Sequence, residues 1–237
     1  SGAISAAGKS LVVNTDGTVA QAGEIAPSAG SEAVILESAS GGFHSLVYAG
    51  DNIQTTADAN KVVVIFRDQS NSNYGTAVVG TVSGTSISFG SKVVFESDTV
   101  HDMDCCMDSS QGKVLVFYRD SSNSNYGTGV VGTVSGTGIS FGTPAVFESA
   151  TTTHISCDFD NYNGKALVAY RDGGNSSHGT ALTADYQLNY GSAAVFESAH
   201  TQNPDVTYDP NADRFLISYR DMDNSYYGTA IVATIST

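Results

Sequence analysis

Four short runs of consecutive apolar residues recur along the chain and predict buried β-strands. The runs are rich in β-branched and aromatic side chains, and they occupy residues 62–66, 114–118, 166–170 and 215–219. A strand that is apolar at successive positions has both of its faces covered by other parts of the protein. The pattern therefore predicts four strands, each lying inside a layered β-structure.

Weaker strand patterns surround each apolar run. Before three of the runs, residues 104–108, 156–160 and 205–209 alternate in polarity, which is the two-residue period of a strand with one buried face. After each run, an Asp-x-x-Asn-Ser segment predicts a turn, because these side chains bond their own backbone. Apolar segments then predict a third and a fourth strand. Each copy thus predicts four antiparallel strands.

An Arg-Asp pair follows every apolar run and defines the repeat length. The arginines, Arg67, Arg119, Arg171 and Arg220, are separated by 52, 52 and 49 residues. A period near 50 residues with four short strands is typical of a β-propeller blade. The alternative, a β-solenoid, is built from much shorter coils. The sequence predicts an all-β fold, a four-bladed β-propeller of four-stranded antiparallel blades.

The two ends of the repeat region predict how the propeller closes. The fourth copy has no fourth strand, whereas a lone fourth-strand pattern at residues 34–38 precedes the first copy. We expect this N-terminal strand to close the last blade and so to remove open sheet edges. The predicted organisation is a leader at 1–30 with a small Asp-Gly hairpin. The propeller at 31–237 follows, with blades at about 39–97, 98–149, 150–198 and 199–237, the last including 31–38.

The charge balance restricts the partners. With 24 acidic and 10 basic residues the net charge is −14, which argues against nucleic acid and anionic membranes, because both need clustered Lys and Arg. No apolar run approaches the roughly 20 residues that span a bilayer. Charged residues make up only 14% of the chain, and Gly, Ser, Thr and Asn fill the polar positions. This composition is typical of virion or extracellular β-proteins, so we expect that location.

Three cysteines, Cys105, Cys106 and Cys157, do not form a disulfide framework, because their number is odd and two are adjacent. They also lack the C-x-x-C spacing of a zinc site. We expect three free thiols buried in strands, with Cys105 and Cys157 at equivalent positions. No metal and no cofactor is predicted, since His101-Asp102-Met103-Asp104 occurs in one copy only.

Four glutamates repeat together with the four arginines and predict structural ion pairs. They are Glu37, Glu96, Glu148 and Glu197, one for each of Arg67, Arg119, Arg171 and Arg220. The planar guanidinium binds a carboxylate with two hydrogen bonds, so one pair per blade would hold the blades together. The neighbouring Asp is an alternative partner, and a ring of equivalent ligand sites is an alternative role.

Polar and aromatic residues in the turns after the arginines are the candidate ligand-binding residues. They are Asn71, Tyr74, Asn123, Tyr126, Asn175, His178, Asn224 and Tyr227. Asn can bond sugar hydroxyls, and an aromatic ring can stack on a sugar, although packing between blades is the alternative role of the aromatics. No catalytic residue can be chosen, because neither a Ser/His/Asp set nor a carboxylate pair is singled out by its position.

The repeated phrase resembles a known group of proteins. The phrase YRDxxNSxYGTAxVGTVSGTxISFGxxVVFES, over about residues 30–237, looks like repeats in tail-fibre and other structural proteins of marine bacteriophages and in related bacterial surface proteins. The leader GKSLVVNTDGTV is similar to short segments of cyanophage-type fibre proteins. The resemblance implies virion attachment or surface recognition, and it brings no catalytic motif.

Two main functions follow from these patterns. The first is a non-catalytic attachment module of a virion fibre or extracellular surface protein, which binds a neutral or weakly cationic surface glycan or a host receptor. The second is a structural building block of a fibre, capsid decoration or filament, with self-association through the leader. A glycan-active enzyme is a third class, and our expectation is that the chain is not an enzyme.

Overall fold

A computed structural model describes residues 11–13, 19–21, 41–49 and 60–235, which form sixteen β-strands and no helix. The prediction of an all-β fold is confirmed. The chain divides into two units, Ser1–Ser31 and Glu32–Thr237. In the first unit, β1 (Leu11–Val13) pairs with β2 (Val19–Gln21) in antiparallel orientation. Among the described residues, nothing forms a helix long and apolar enough to cross a membrane.

The second unit contains four repeats in chain order, whose described residues form five, five, four and three strands or strand parts. Repeat 1 consists of β3 (Gly41–Tyr48), β4 (Lys61–Asp68), β5 (Tyr74–Ser83), the short β6 (Ser86–Phe89) and the first part of β7 (Val93–Asp108). Repeat 2 consists of the rest of β7, β8 (Lys113–Asp120), β9 (Tyr126–Ser135), β10 (Gly138–Phe141) and the first part of β11 (Ala145–Asp160). Repeat 3 consists of the rest of β11, β12 (Lys165–Asp172), β13 (His178–Ala184) and the first part of β14 (Ala194–Asp209). Repeat 4 consists of the rest of β14, β15 (Arg214–Asp221) and β16 (Tyr227–Ala233).

Three strands of sixteen residues each join consecutive repeats. The first part of β7 pairs with β5 of repeat 1, and from Val100 onwards it pairs with β8 of repeat 2. The strands β11 and β14 change partner in the same way at Thr152 and Thr201. We call β3 and the segments 100–108, 152–160 and 201–209 the first strands. The second strands are then β4, β8, β12 and β15.

Strand order follows chain order from β3 to β16, with β6 and β10 as side branches, and the described sheet does not return on itself. Segment 34–38, which the sequence predicts as the closing strand, lies outside the described residues.

The core lies between consecutive repeats. Val63 and Ile65 of repeat 1 share a buried cluster with Val116 and Tyr118 of repeat 2. The intervening side chains of the same second strands enter the next cluster, so Leu115 and Phe117 meet Val168 and Tyr170 of repeat 3, and Leu167 and Ala169 meet Phe215 and Ile217 of repeat 4. Alternate residues of one strand point to opposite faces, so the continuous apolar runs of β8 and β12 each serve two cores.

A clasp of three side chains closes each of these junctions. The ring centroids of Phe147 and Tyr170 are 5.3 Å apart, and the Tyr170 hydroxyl donates to Glu148 Oε2 over 3.1 Å. The same clasp recurs with Phe95, Glu96 and Tyr118, and with Phe196, Glu197 and Tyr219. A glycine of the third strand (β5, β9 or β13) lies beneath each phenylalanine ring. A methyl group added to Gly75, Gly127 or Gly179 would lie 2.5 Å from the nearest atom of that ring.

These clasps correct the predicted arginine–glutamate pairs. Glu96, Glu148 and Glu197 each accept a hydrogen bond from a tyrosine hydroxyl. The tyrosine directly precedes the arginine in a strand, so the two side chains point to opposite faces, and only the tyrosine reaches the glutamate. Phe66 holds the equivalent position in repeat 1 and has no hydroxyl, and Glu37 lies outside the described residues.

The aspartate of the Arg-Asp pair closes the turn that follows it. Asp120 Oδ1 accepts the backbone N–H groups of Ser122 and Asn123 over 3.0 and 3.1 Å. Asp172 does the same for Gly174 and Asn175. All four of these aspartates are buried, so the repeated acid is a turn-forming residue rather than a ligand site or a partner of the adjacent arginine.

We expect Tyr170→Phe to lower the free energy of unfolding by about 1–2 kcal/mol, because the change removes a hydrogen bond to a half-buried carboxylate. Urea denaturation measures the change. Tyr227→Phe is the matched control, since that side chain is exposed, and it should have no measurable effect. Equal stability of the two variants would show that the hydrogen bond from the Tyr170 hydroxyl to Glu148 contributes nothing to stability.

All three cysteines are free and buried, and burial raises the pKa of each thiol. The folded chain should therefore resist a thiol reagent at pH 8, whereas the chain in guanidinium should react at three sites. Mass spectrometry after labelling counts the modified residues. Labelling of a single thiol in the denatured, unreduced chain would reveal a disulfide and contradict the prediction.

Candidate functional site

The first strands begin with a bulge that turns a polar side chain toward the neighbouring repeat. Asp102, His154 and Asn203 occupy equivalent positions in repeats 2, 3 and 4, with φ values of 42°, 52° and 48°. The pairing with the second strand shifts by one residue at each of these positions. Bulges of this kind redirect side chains and are frequent beside active sites.

Carboxylates from one first strand bind the backbone of the next. Asp102 Oδ1 accepts the N–H of His154 over 3.1 Å, and Asp104 Oδ2 accepts the N–H of Cys157 over 2.9 Å. Further along, Asp158 Oδ2 accepts the N–H of Tyr208 over 2.7 Å. A first strand pairs with its second strand along one edge only, so the N–H groups on its other edge need another acceptor. The carboxylates supply it and align the four first strands side by side.

A row of alternating serine and aspartate crosses the four first strands. Ser45, Asp104, Ser156 and Asp205 face equivalent second-strand residues, namely Ile65, Phe117, Ala169 and Ser218. The Ser45 hydroxyl donates to Asp104 Oδ1 over 2.6 Å. The Ser156 hydroxyl lies 3.2 Å from Asp104 Oδ2 and 3.5 Å from Asp205 Oδ1, so these two oxygens are at most the sum of those distances apart. We call these four residues the serine–aspartate row.

The two aspartates of the row differ in environment. Burial raises the pKa of Asp104 above that of an ordinary aspartate, although hydrogen bonds from Ser45, Ser156 and two backbone N–H groups act against this. Asp205, in contrast, is exposed. A buried carboxyl group whose pKa is raised, beside a solvated carboxylate, is an arrangement that general acid–base catalysis uses.

The repeated arginines lie along the same edge, opposite the first residues of the first strands. Arg67 Nη1 is 3.1 Å from His101 Nδ1, and Arg119 forms an ion pair with Asp102 over 3.0 Å. Arg220 donates to Gln202 Oε1 over 3.4 Å. The Nε atoms of Arg119 and Arg171 are buried, and neither has a hydrogen-bond partner among the described residues. These arginines therefore form a cationic border beside the serine–aspartate row.

Two histidines stand between the arginines. Burial lowers the pKa of His101, and the charges of Arg119 and Arg67 lower it further. Burial likewise lowers the pKa of His154, against the opposing effect of Asp102. Both imidazoles are therefore neutral at pH 7, and each can donate one hydrogen bond and accept one.

The residues predicted from sequence to bind a ligand lie around this edge but do not converge. Asn71, Asn123, Asn175 and Asn224 are exposed, one in each turn that follows a second strand. Their backbone carbonyls accept the N–H groups of Tyr74, Tyr126, His178 and Tyr227, which begin the third strands. The structure places these eight residues in four separate turns, so they form a rim rather than one compact site.

Sequence reasoning missed the serine–aspartate row. The three acidic segments 104–108, 156–160 and 205–209 are visible as strands, but nothing in them marks which acid meets a residue of another repeat. The available signal was one position of the first strand that alternates between Ser and Asp from repeat to repeat. Among the described residues, no group of three or more His, Cys, Asp or Glu side chains could hold a metal ion.

No protein-family model and no curated protein matches the chain. The fold is similar to solved structures of glycoside hydrolases. An exo-β-1,3-galactanase from Phanerochaete chrysosporium, solved with galactose, has a TM-score of 0.50 at 12% identity, over 68% of this chain and 41% of its own. A GH43 β-1,3-galactosidase, solved with galactodeoxynojirimycin, has a TM-score of 0.50 at 12% identity, over 81% of this chain and 71% of its own.

These similarities correct three functional expectations. The neighbours are glycoside hydrolases, not phage fibres, so the predictions of a non-catalytic attachment module and of a structural building block are wrong. The expectation that the chain is not an enzyme is wrong for the same reason. At 12% identity the likeness shows a shared fold, and this chain spans less than half of the galactanase chain. The chain thus has the β-fold of these glycoside hydrolases.

Proposed function

We propose that the chain is a carbohydrate-active enzyme that hydrolyses glycosidic bonds at the serine–aspartate row. The observation that carries the proposal is the pair of carboxylates on either side of one hydroxyl, with Ser156 Oγ 3.2 Å from Asp104 and 3.5 Å from Asp205. Glycosidases use two carboxyl groups, about 5–5.5 Å apart in retaining enzymes and about 6.5–9.5 Å apart in inverting ones. The upper limit on the separation of Asp104 and Asp205 lies at the lower end of the inverting range.

The two acids have different roles in this reaction. Protonated Asp104 donates its proton to the glycosidic oxygen as the bond from that oxygen to the anomeric carbon breaks. The Asp205 carboxylate takes a proton from water as the water oxygen bonds to the anomeric carbon. The Ser156 hydroxyl also accepts the N–H of Val206 over 3.1 Å, which fixes its position between the two acids. The reaction yields two free sugars and needs no cofactor.

The surrounding residues fit the binding of a polyhydroxylated substrate. The neutral imidazoles of His101 and His154 and the half-buried side chains of Arg119 and Arg171 offer hydrogen-bond donors along one side. The exposed turn residues of the rim, among them Asn123 and Asn175, can bond sugars further from the scissile bond. β-1,3-Linked galacto-oligosaccharides are the first substrates to test, because one similar enzyme was solved with β-1,3-galactotriose.

We also propose that the four repeats are four successive blades of a propeller and that residues 34–38 supply a strand of the last one. Repetition of four antiparallel strands and side-by-side first strands support this arrangement. An extracellular or virion-associated location is part of the same proposal, supported by the low charged fraction of 14% and by a polymeric glycan substrate.

We expect Asp104→Asn and Asp205→Asn each to reduce the hydrolysis rate by about 10²–10⁴-fold, because each removes a proton-transfer group. Release of reducing sugar from β-1,3-galactotriose and a panel of neutral oligosaccharides measures the rate. The wild-type rate should fall as the pH rises through the raised pKa of Asp104, since only the protonated acid can donate.

Asp223→Asn is the matched control, because that acid is exposed in a turn of repeat 4. It should retain the wild-type rate, and circular dichroism should show that all variants are folded. Absence of hydrolysis across the panel by the folded wild-type chain would refute the proposal. Full activity of both row variants would instead move catalysis to another site.

A further inference from the structure

A cavity lies at the C-terminal ends of the first strands of repeats 3 and 4. Its volume is about 680 Å³, and its lining includes Asp158, Tyr162, Tyr208, Pro210 and Asp213 from repeats 3 and 4. Small-molecule sites typically measure about 300–1,000 Å³. The lining of this cavity begins at Asp158, two residues beyond Ser156 on the same first strand, and extends into the turn that carries Tyr162. The cavity therefore adjoins the serine–aspartate row, but neither Asp104 nor Asp205 lines it.

Tyr162 gives this cavity an aromatic wall that the other repeats lack. The side chain is 87% exposed and lies in the turn between the first and second strands. The equivalent turn positions carry Ser110 in repeat 2 and Asn211 in repeat 4. Asp160, buried at the start of the turn, accepts the backbone N–H groups of Tyr162 and Asn163 over 2.8 and 3.0 Å, so the turn backbone is fixed while the ring faces solvent.

Two carboxylates of the cavity are held in place by neighbouring N–H and O–H groups. The two oxygens of Asp158 accept the N–H groups of Phe159 and Tyr208 over 2.8 and 2.7 Å. Asp213 Oδ1 accepts the Tyr208 hydroxyl over 2.9 Å. Each carboxylate oxygen has a second lone pair, so both acids can still accept hydrogen bonds from a ligand.

The charge around the cavity selects the ligand class. Its lining carries two carboxylates and no Lys or Arg, and the nearby Arg214 directs its guanidinium to the backbone carbonyl of Asp213 over 2.6 Å. Anionic sugars would meet like charge, whereas hydroxyl and amine groups would find acceptors. An exposed aromatic ring beside such acceptors suits the apolar face of a sugar ring.

We propose that this cavity binds a pyranose residue without negative charge, stacked on Tyr162 and hydrogen-bonded by Asp158 and Asp213. The ligand is then a neutral or amino-substituted stretch of a glycan. The site acts in binding alone, and it is independent of whether the serine–aspartate row is catalytic.

Tryptophan fluorescence tests this site directly, because the chain contains no tryptophan. Tyr162→Trp places one reporter in the cavity, and Ser110→Trp places the matched control in the equivalent turn of repeat 2. Titration with β-1,3-galactotriose or with a chitosan trisaccharide should change the emission of Tyr162→Trp in a saturable way. Trigalacturonate should leave it unchanged, and none of the three sugars should affect Ser110→Trp.

Two further variants identify the groups responsible. Asp213→Asn in the Tyr162→Trp background should weaken binding of the amino trisaccharide more than that of the neutral one, since it removes a negative charge. Tyr162→Ala should weaken neutral trisaccharide binding in calorimetry by about five- to tenfold, in line with an aromatic contact.

An unchanged emission of Tyr162→Trp with both favoured sugars, an equal response of Ser110→Trp, or a preference for trigalacturonate would each overturn the site. None of these outcomes bears on hydrolysis at Asp104 and Asp205, and loss of hydrolysis would not alter the fluorescence result.

Discussion

The structure depends on the burial of both faces of the inner second strands, β8 and β12. In β8 and β12, the apolar residues are buried at successive positions, because one face packs on the preceding repeat and the other on the following one. In β15 buried and exposed residues alternate strictly, and only one face has a described neighbour. A repeat therefore gains most of its apolar burial from its neighbours and little from its own strands, as in other repeat architectures.

This packing allows the sequences of the first strands to differ from repeat to repeat. Their position is set by pairing with a buried second strand, and their remaining edge is satisfied by carboxylates such as Asp102 and Asp104 from the adjacent repeat. Side chains on these strands can then change from copy to copy without loss of the core. The serine–aspartate row occupies this tolerant part of a rigid frame, where chemical groups can be placed with precision. The arginine border lies beside it, at the ends of the second strands.

Local patterns were enough to predict the strands and most of the turns. Continuous apolar runs identified the second strands, and the Asp-x-x-Asn-Ser phrase identified turns in which buried aspartates such as Asp120 bind backbone N–H groups. Both features are decided within a few residues, so sequence alone can reveal them. The merging of fourth and first strands into single strands of sixteen residues was not visible, because no composition change marks a change of partner.

Contacts between repeats were the part that sequence could not assign. Equal numbers of arginines and glutamates suggested pairs, but the Tyr170 hydroxyl, not Arg171, reaches Glu148. The tyrosine was counted as the apolar end of a strand, although its single hydroxyl joins two repeats. Likewise, Tyr162 and Tyr208 are 46 residues apart, and only the packing of repeats 3 and 4 brings them to one cavity.

The glycines beneath the clasp rings restrict how this chain can change over time. Gly75, Gly127 and Gly179 each leave room for one phenylalanine contributed by the fourth strand of the same repeat. A larger residue at one of these three positions would require a simultaneous loss of the ring. Exchange of whole repeats in register keeps each glycine with its phenylalanine, but an exchange that cuts between them risks mismatching the pair. Duplication in multiples of the full period is therefore the route that such an array most readily tolerates.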